Sequence, residues 1–255
     1  MHYDPQLRQI LPANNGNNNI VLNTEFGRWE KYIDARIRTT SDLPNRNGYR
    51  VPGDHEGFEK LCIGHVQLHQ GSVTSSRVMV LVHPFYQFSG HMRGVRGREH
   101  YQAAIAYLKR LTSFLKSRPP QNVMGVVALE SMPHYAAVTS RLLEEGMVDR
   151  VIFTRDNYGF AHSPQELRVF GGKTLFYGGL FNGVCVSEAI FELEHRTEEL
   201  FSGEREVPKV FAVMDIMLNA NNQGEGVKPT EFIDVGRKKL PKECQITLDE
   251  IVNID

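Results

Sequence analysis

Cysteine is too scarce in this chain, and too widely spread, to build anything by cross-linking. Cys62, Cys185 and Cys244 are the three present, and no C-x-x-C pair occurs. Neither a disulfide framework nor a structural zinc site is therefore suggested. No stretch approaches the roughly 18 consecutive apolar residues of a membrane-spanning helix. The opening "MHYDPQLRQILPANNGNNN" lacks the charged-then-apolar pattern of an export signal. Positive charge is not in excess either: a formal net charge of −1 excludes the global basic field of a dedicated nucleic-acid binder, though not a local basic patch. Three chemical signatures are missing as well, namely the Gly-Lys-Ser/Thr of a Walker loop, G-x-G-x-x-G and G-x-S-x-G. The expectation is a soluble protein of a reducing, cytoplasmic compartment, with no metal and no cofactor implied. A protein exported without a conventional signal would look the same.

What the chain does have is room and pattern. Its 255 residues, 41% hydrophobic and 23% charged, suffice for one large α/β domain. Residues 1–75 read as an N-terminal extension. It contains the polar run "NNGNNN", then "IVLNTEF" and "KLCIGHVQLHQG", which read as strands around a turn-rich loop. In the second, Val66 and Leu68 alternate with His65, Gln67 and His69. Two histidines could bind a metal only with a third ligand, and a solvated strand face is the plainer reading.

From Arg77 the pattern sharpens into strand–helix units. "RVMVLVHPF", "NVMGVVALE", "DRVIFTRD", "KTLFYGG" and "PKVFAVMDIML" read as buried strands. Between them "REHYQAAIAYLKRLTSFLKSR", "HYAAVTSRLLEEG" and "NGVCVSEAIFELEHRTEELF" read as helices, with Gly146 as a C-cap and Pro119-Pro120 stopping the first. Near-continuous apolar strands alternating with helices predict a three-layer αβα sandwich with a mostly parallel, doubly wound sheet over residues 76–220. Residues 221–255 form a C-terminal extension.

In such sheets ligands bind beyond the carboxyl ends of the strands. The candidates at strand ends are His83, Glu130 with Ser131, Arg155 with Asp156, Gly178 with Gly179, and Asp215. Cys185 stands out because a helix begins beside it. With Asn182 as N-cap it falls at the third helical position, where free N–H groups and the helix dipole stabilise a thiolate. The amides near Gly183 to Cys185 would face a developing oxyanion. The alternative is burial: Cys185, Val186, Ala189, Ile190 and Leu193 form an apolar stripe, and free cysteine is among the most buried residue types.

The segment from "KTLFYGG" through Cys185-Val186 resembles the isochorismatase-like, or cysteine hydrolase, superfamily, with Gly179 six residues before Cys185. "VIFTRDNYGF" is similar to the family's upstream strand, with Arg155 where the family has a catalytic Lys and Tyr158 and Phe160 following. "VMVLVHPFYQFSG" resembles its first strand, with His83 where the family has a catalytic Asp. The resemblance spans about residues 77–220. It implies a cysteine nucleophile, Cys185, served by His83 and Arg155 as an altered triad. An imidazole can take a proton near neutrality, whereas an Arg holds charge without shuttling it.

The stretch after His83, "HPFYQFSGHMRGVRGREHYQ", interleaves Arg93, Arg96 and Arg98 with Gly90, Gly94 and Gly97 just before a helix start. An anionic ligand fits that composition; a solvated loop, or one paired with an acidic face such as Glu144-Glu145, fits it equally. The leading expectation is a cysteine hydrolase of a small anionic amide, ester or vinyl-ether-like substrate. Arg93, Arg96, Arg98, Tyr158, Phe160, Gly179 and Asn182 are its expected substrate contacts. Two alternatives stay open: a catalytically inactive binding module on the same fold, and a phosphate- or nucleotide-handling enzyme using the arginine loop. Nucleic-acid and membrane partners are not expected; self-association is left open.

Overall fold

The computed structural model describes residues 66–84, 98–130, 139, 142–154, 164–201, 207–219, 229, 231–233 and 240–254. Six parallel strands form one sheet in the order β3-β2-β1-β4-β5-β6. They are β1 (Arg77–Val82), β2 (Gly125–Glu130), β3 (Arg150–Phe153), β4 (Thr174–Asn182), β5 (Lys209–Asn219) and β6 (Gln245–Ile246). The two helices that matter for the site are α1 (Arg98–Ser117) after β1 and α2 (Cys185–His195) after β4; a short turn, α3 (Thr197–Leu200), follows α2. The α/β architecture expected from the apolar strand runs is the one observed.

Strand alternation divides the interior into two cores. Met79, Leu81, Val126, Ala128, Val151 and Phe176 face Leu108, Leu111 and Leu115 of α1. Val78, Val80, Val82, Val127, Leu129 and Tyr177 face Val186, Ala189, Ile190 and Leu193 of α2. Because both faces are covered, the strands carry almost no polar residues, which is why each reads as one apolar run.

Buried charges tie the sheet margins to the layers. Asp149 takes a bidentate pair from Arg118, at 2.9 and 3.0 Å, and accepts the Val126 N–H at 2.7 Å. The Gln70 side-chain amide closes the open edge of β3, donating to Val151 O at 2.8 Å and accepting its N–H at 2.9 Å. A free strand edge is a liability, and this amide occupies it. Asp215 binds Arg110 of α1 at 2.8 Å and the Leu248 N–H at 2.9 Å, anchoring the C-terminal segment.

The structure corrects several sequence expectations. Val66–His69 is helical, not extended; Val66 is buried and Leu68 is 70% exposed, so the apparent period-two pattern carried no strand. Strand β4 does not stop at Gly178-Gly179 but continues to Asn182, and Asp215 lies within β5 rather than at its end. The expected single helix after β4 breaks at Arg196. There the Thr197 hydroxyl donates to Leu193 O at 3.0 Å, a local bond that competes with the helical ladder. The C-terminal extension contributes β6 to the sheet. The "IVLNTEF" strand expectation lies outside the described residues.

Glycine is obligatory at one sheet position. Gly179 has φ +117, and a Cβ there would lie 2.1 Å from Val82 O and 2.7 Å from Val82 N. The β4–β5 pairing skips at the same place, from Tyr177–Ala212 to Gly179–Met217. Gly146 also has positive φ, +72, but a Cβ there would meet nothing within 4 Å. Gly146→Ala should therefore cost about 1 kcal/mol, from the left-handed backbone alone. Gly179→Ala should cost more than about 4 kcal/mol, since backbone must move. Urea unfolding midpoints of the two variants check this; equal losses would show that the Val82 contact imposes no constraint.

Candidate functional site

The sheet order reverses between β1 and β4. Chain continuing from β1 runs outward to β2 and β3, then returns to the other side at β4. The crevice of a doubly wound sheet opens at this switch point, beyond the carboxyl ends of the two strands. His83 is the first residue after β1, and α2 begins at Cys185 just beyond the end of β4.

His83 is buried, and its backbone is unusual. Its φ is +43, the left-handed region that a side chain with Cβ visits at a cost of roughly 1 kcal/mol or more. Its N–H donates to Leu129 O at 2.8 Å, and the next carbonyl, of Pro84, accepts the Tyr107 hydroxyl at 2.9 Å. The turn is thus held from β2 and from α1. Strained backbone of this kind persists where the surroundings over-determine it, and it concentrates at functional sites.

The imidazole has acidic neighbours on both sides. Its Nδ1 lies 3.8 Å from Glu130 Oε2, an ion-pair distance, and Cys185 lies near enough to act on it electrostatically. Burial alone would push the His83 pKa down. The favourable interactions with Cys185 and Glu130 outweigh burial and raise it from 6.5 to about 9. An imidazolium with a donor for each neighbour is the form this setting favours. Glu130 in turn accepts a hydrogen bond from the Thr139 hydroxyl through Oε1. Its charge, together with burial, which is the larger cause, holds the Tyr107 phenol well above its usual pKa.

The three groups come from different layers. By strand alternation Glu130, in register with Val126 and Ala128, belongs to the α1 face. Cys185 belongs to the α2 core. The left-handed turn at His83 lets one imidazole reach both across the carboxyl edge of the sheet.

Cys185 is the first residue of α2, with Val184 as N-cap. This corrects the expected Asn182 cap, and the physical reason is that Asn182 still belongs to β4, opposite Asn219. The Asn182 side chain is fully buried; its Nδ2 donates to Asn219 Oδ1 and Glu231 O, both at 2.9 Å, and its Oδ1 accepts the Ile233 N–H at 2.9 Å. Both of its donor hydrogens bind protein, so its role is to tie the 231–233 segment to the end of β4. The Gly183 N–H donates to Ser187 Oγ at 2.8 Å and the Val184 N–H to Phe181 O at 3.2 Å. Of the amides expected near an oxyanion, those of Gly183 and Val184 are therefore taken. The N–H groups of the first turn of α2, from Cys185 onward, are the ones a helix leaves without an intrahelical acceptor.

Cys185 is 6% exposed and packed in the stripe with Val186, Ala189, Ile190 and Leu193. The two readings of this residue are compatible: it is buried among apolar side chains and also joined to an imidazole. Gly179 lies against the Val82 backbone, one residue before His83, and so sets the spacing of the two strand ends. Arg98 begins α1. Arg93, Arg96, Arg155, Tyr158 and Phe160 lie outside the described residues. The structure joins Glu130 to Cys185 and His83. Its signal in the sequence was an acid closing an otherwise apolar strand, and Thr139 and Tyr107 gave none.

No protein-family model, no curated protein and no solved structure matches this chain. Among the described residues no helix is long and apolar enough to cross a membrane.

A raised histidine pKa has a signed consequence. Because the folded value, about 9, exceeds the unfolded 6.5, protonated His83 stabilises the fold fully below pH 6.5, and that contribution is lost as pH rises through 9. Wild type should thus lose stability over that window relative to His83→Gln. Glu130→Gln should lower the His83 pKa by about one unit or more, read from the imidazole carbon shift by NMR. An unchanged titration in Glu130→Gln would detach the carboxylate from the histidine.

Proposed function

We propose that this protein is a cysteine-dependent hydrolase of a small anionic amide or ester, with Cys185 as nucleophile, His83 as proton carrier and Glu130 as the group that holds His83 in place. The observation that carries the reading is the buried Cys185–His83–Glu130 chain at the switch point of the sheet. A nucleophile, a base within hydrogen-bond reach and a third group fixing the base form the arrangement that acyl transfer requires. The likeness of the β4–α2 segment to the isochorismatase-like superfamily supports the same choice of nucleophile. Here a His–Glu pair stands in place of an Asp–Lys pair, with Arg155 left as a candidate substrate contact.

The chemistry follows from the atoms present. The Cys185 thiolate adds to the substrate carbonyl carbon, and the oxyanion receives N–H donors from the first turn of α2. Collapse expels the amine or alcohol, which takes its proton from the His83 imidazolium and leaves a thioester on Cys185. Neutral His83 then takes a proton from water as that water attacks the thioester. Breakage of the C–S bond releases the acid and restores the thiolate–imidazolium pair. Glu130 stabilises the imidazolium. Preference for an anionic substrate rests on Arg93 and Arg96, which fall in sequence between Pro84 and α1, and on Arg98, the first residue of α1.

Alkylation tests the reading without a known substrate. Iodoacetamide should modify Cys185 of the native protein at pH 6.5 about tenfold faster than it modifies the same residue in the unfolded chain, and His83→Ala should abolish the excess. Mass spectrometry reports the site. Protection of Cys185 at every pH at which the protein stays folded would retire the thiol as nucleophile and leave a binding module on this fold. A positive result justifies screening small carboxylated amides and esters, where Cys185→Ser should lower turnover by at least about 10³-fold.

A further inference from the structure

The carboxylate that faces His83 is itself held on its far side. Glu130 offers two oxygens: Oε2 lies toward His83 Nδ1, and Oε1 accepts the Thr139 hydroxyl. Thr139 is fully buried, as is Glu130. A carboxylate at the end of a strand can turn about its last bonds, and a single partner 3.8 Å away does little to stop it. A hydroxyl bonded to one oxygen fixes the plane of the group and so aims the other. Threonine suits the task because its β-branch restricts the hydroxyl to few rotamers.

We infer that Thr139 is a positioning residue, which clamps one oxygen of Glu130 so that the other stays aimed at His83, and that Tyr107 completes the support by holding the backbone turn that carries His83. This rests on the proposed role of the Cys185–His83–Glu130 chain and extends it to Thr139 and to α1. The second support is independent of the carboxylate's geometry: the Tyr107 hydroxyl donates to Pro84 O at 2.9 Å, one residue beyond the left-handed His83. Tyr107 also lies close enough for the Glu130 charge to disfavour its ionisation, so it remains a neutral donor. Among the described residues the groups that face the imidazole are therefore Glu130 from β2, Cys185 from α2 and, through Pro84, Tyr107 from α1. Thr139 reaches it only through Glu130.

The arrangement separates a positioning role from a merely structural one. Thr139→Val keeps shape and volume but removes the donor, and Thr139→Ser restores the donor on a slimmer side chain. With the clamp gone, Glu130 swings off its aim and the His83 pKa falls by about one unit, a tenfold change in its proton affinity. Native-state alkylation of Cys185 at pH 6.5 slows with it. Thr139→Ser should recover both, whatever it does to the melting temperature.

The experiment is an NMR titration of ¹³C-histidine-labelled full-length protein, with His83 assigned by His83→Gln, in wild type, Thr139→Val, Thr139→Ser and Tyr107→Phe. Iodoacetamide kinetics at Cys185 are measured on the same samples. A lowered His83 titration in Thr139→Val, restored in Thr139→Ser, sustains the inference. A Thr139→Val protein that melts earlier but titrates and alkylates as wild type overturns it, because Thr139 would then only fill space. If Thr139→Val does not fold, Thr139→Ala, which also lacks the donor, takes its place with the same two outcomes; wild-type titration in Tyr107→Phe overturns the second support, and a lowered one sustains it. A wild type whose Cys185 resists alkylation while His83 still titrates high defeats the hydrolase reading alone, since the NMR titration judges the clamp without it.

Discussion

The contact between the Gly179 backbone and the Val82 backbone is the constraint around which the site is organised. With no side chain at Gly179, β4 approaches β1 to a distance that any Cβ would forbid. The approach comes at the last paired position of β1, opposite Val82. It fixes how far apart the two strand ends lie, and from those ends leave His83 on one side and, three residues past the end of β4, Cys185 on the other.

Around that contact the protein places a polar chain inside an apolar frame. Thr139, Glu130, His83 and Cys185 are all buried, and each interacts with the next through a hydrogen bond or an electrostatic contact. Desolvation disfavours every charge in this chain, and mutual stabilisation offsets it; in His83 the partners outweigh the burial. Such a network is a poor source of stability, since buried ion pairs roughly break even against hydrophobic packing. The network sits at the switch point of the sheet, with a left-handed histidine at its centre.

Structural polar groups elsewhere behave differently. The Arg118–Asp149 pair, the Gln70 amide on the β3 edge and the Asn182 amide each satisfy backbone groups that would otherwise go unpaired. They hold the sheet's margins and the 231–233 segment. Asn182 shows how a residue that looks functional by location can be occupied by architecture: all of its polar atoms bind protein across the end of β4.

Much of the fold was legible in the chain. Both faces of the sheet are covered, so the β1, β2, β4 and β5 segments read as apolar runs, and the helices between them carry stripes at helical spacing. Cys185 and His83 could be picked out because strand ends locate the crevice of any doubly wound sheet. Boundaries were less legible: β4 runs past its glycines because sheet pairing with β5, a long-range effect, extends it, and the Arg196 break has only a threonine hydroxyl bond beside it to mark it. Local pattern misread Val66–His69, where four residues of alternation were too few to outweigh helical packing of Val66. The partner of His83 was beyond the reach of sequence. Glu130 lies 47 positions from His83 and Thr139 nine from Glu130, and only the parallel register of β1 with β2, with the turn of the backbone at His83, brings an acid from one layer and a thiol from the other to the same imidazole. Sequence determines which residues are buried and where strands end; which of those ends meet is decided by sheet order and register, because those are set by contacts between segments far apart in the chain.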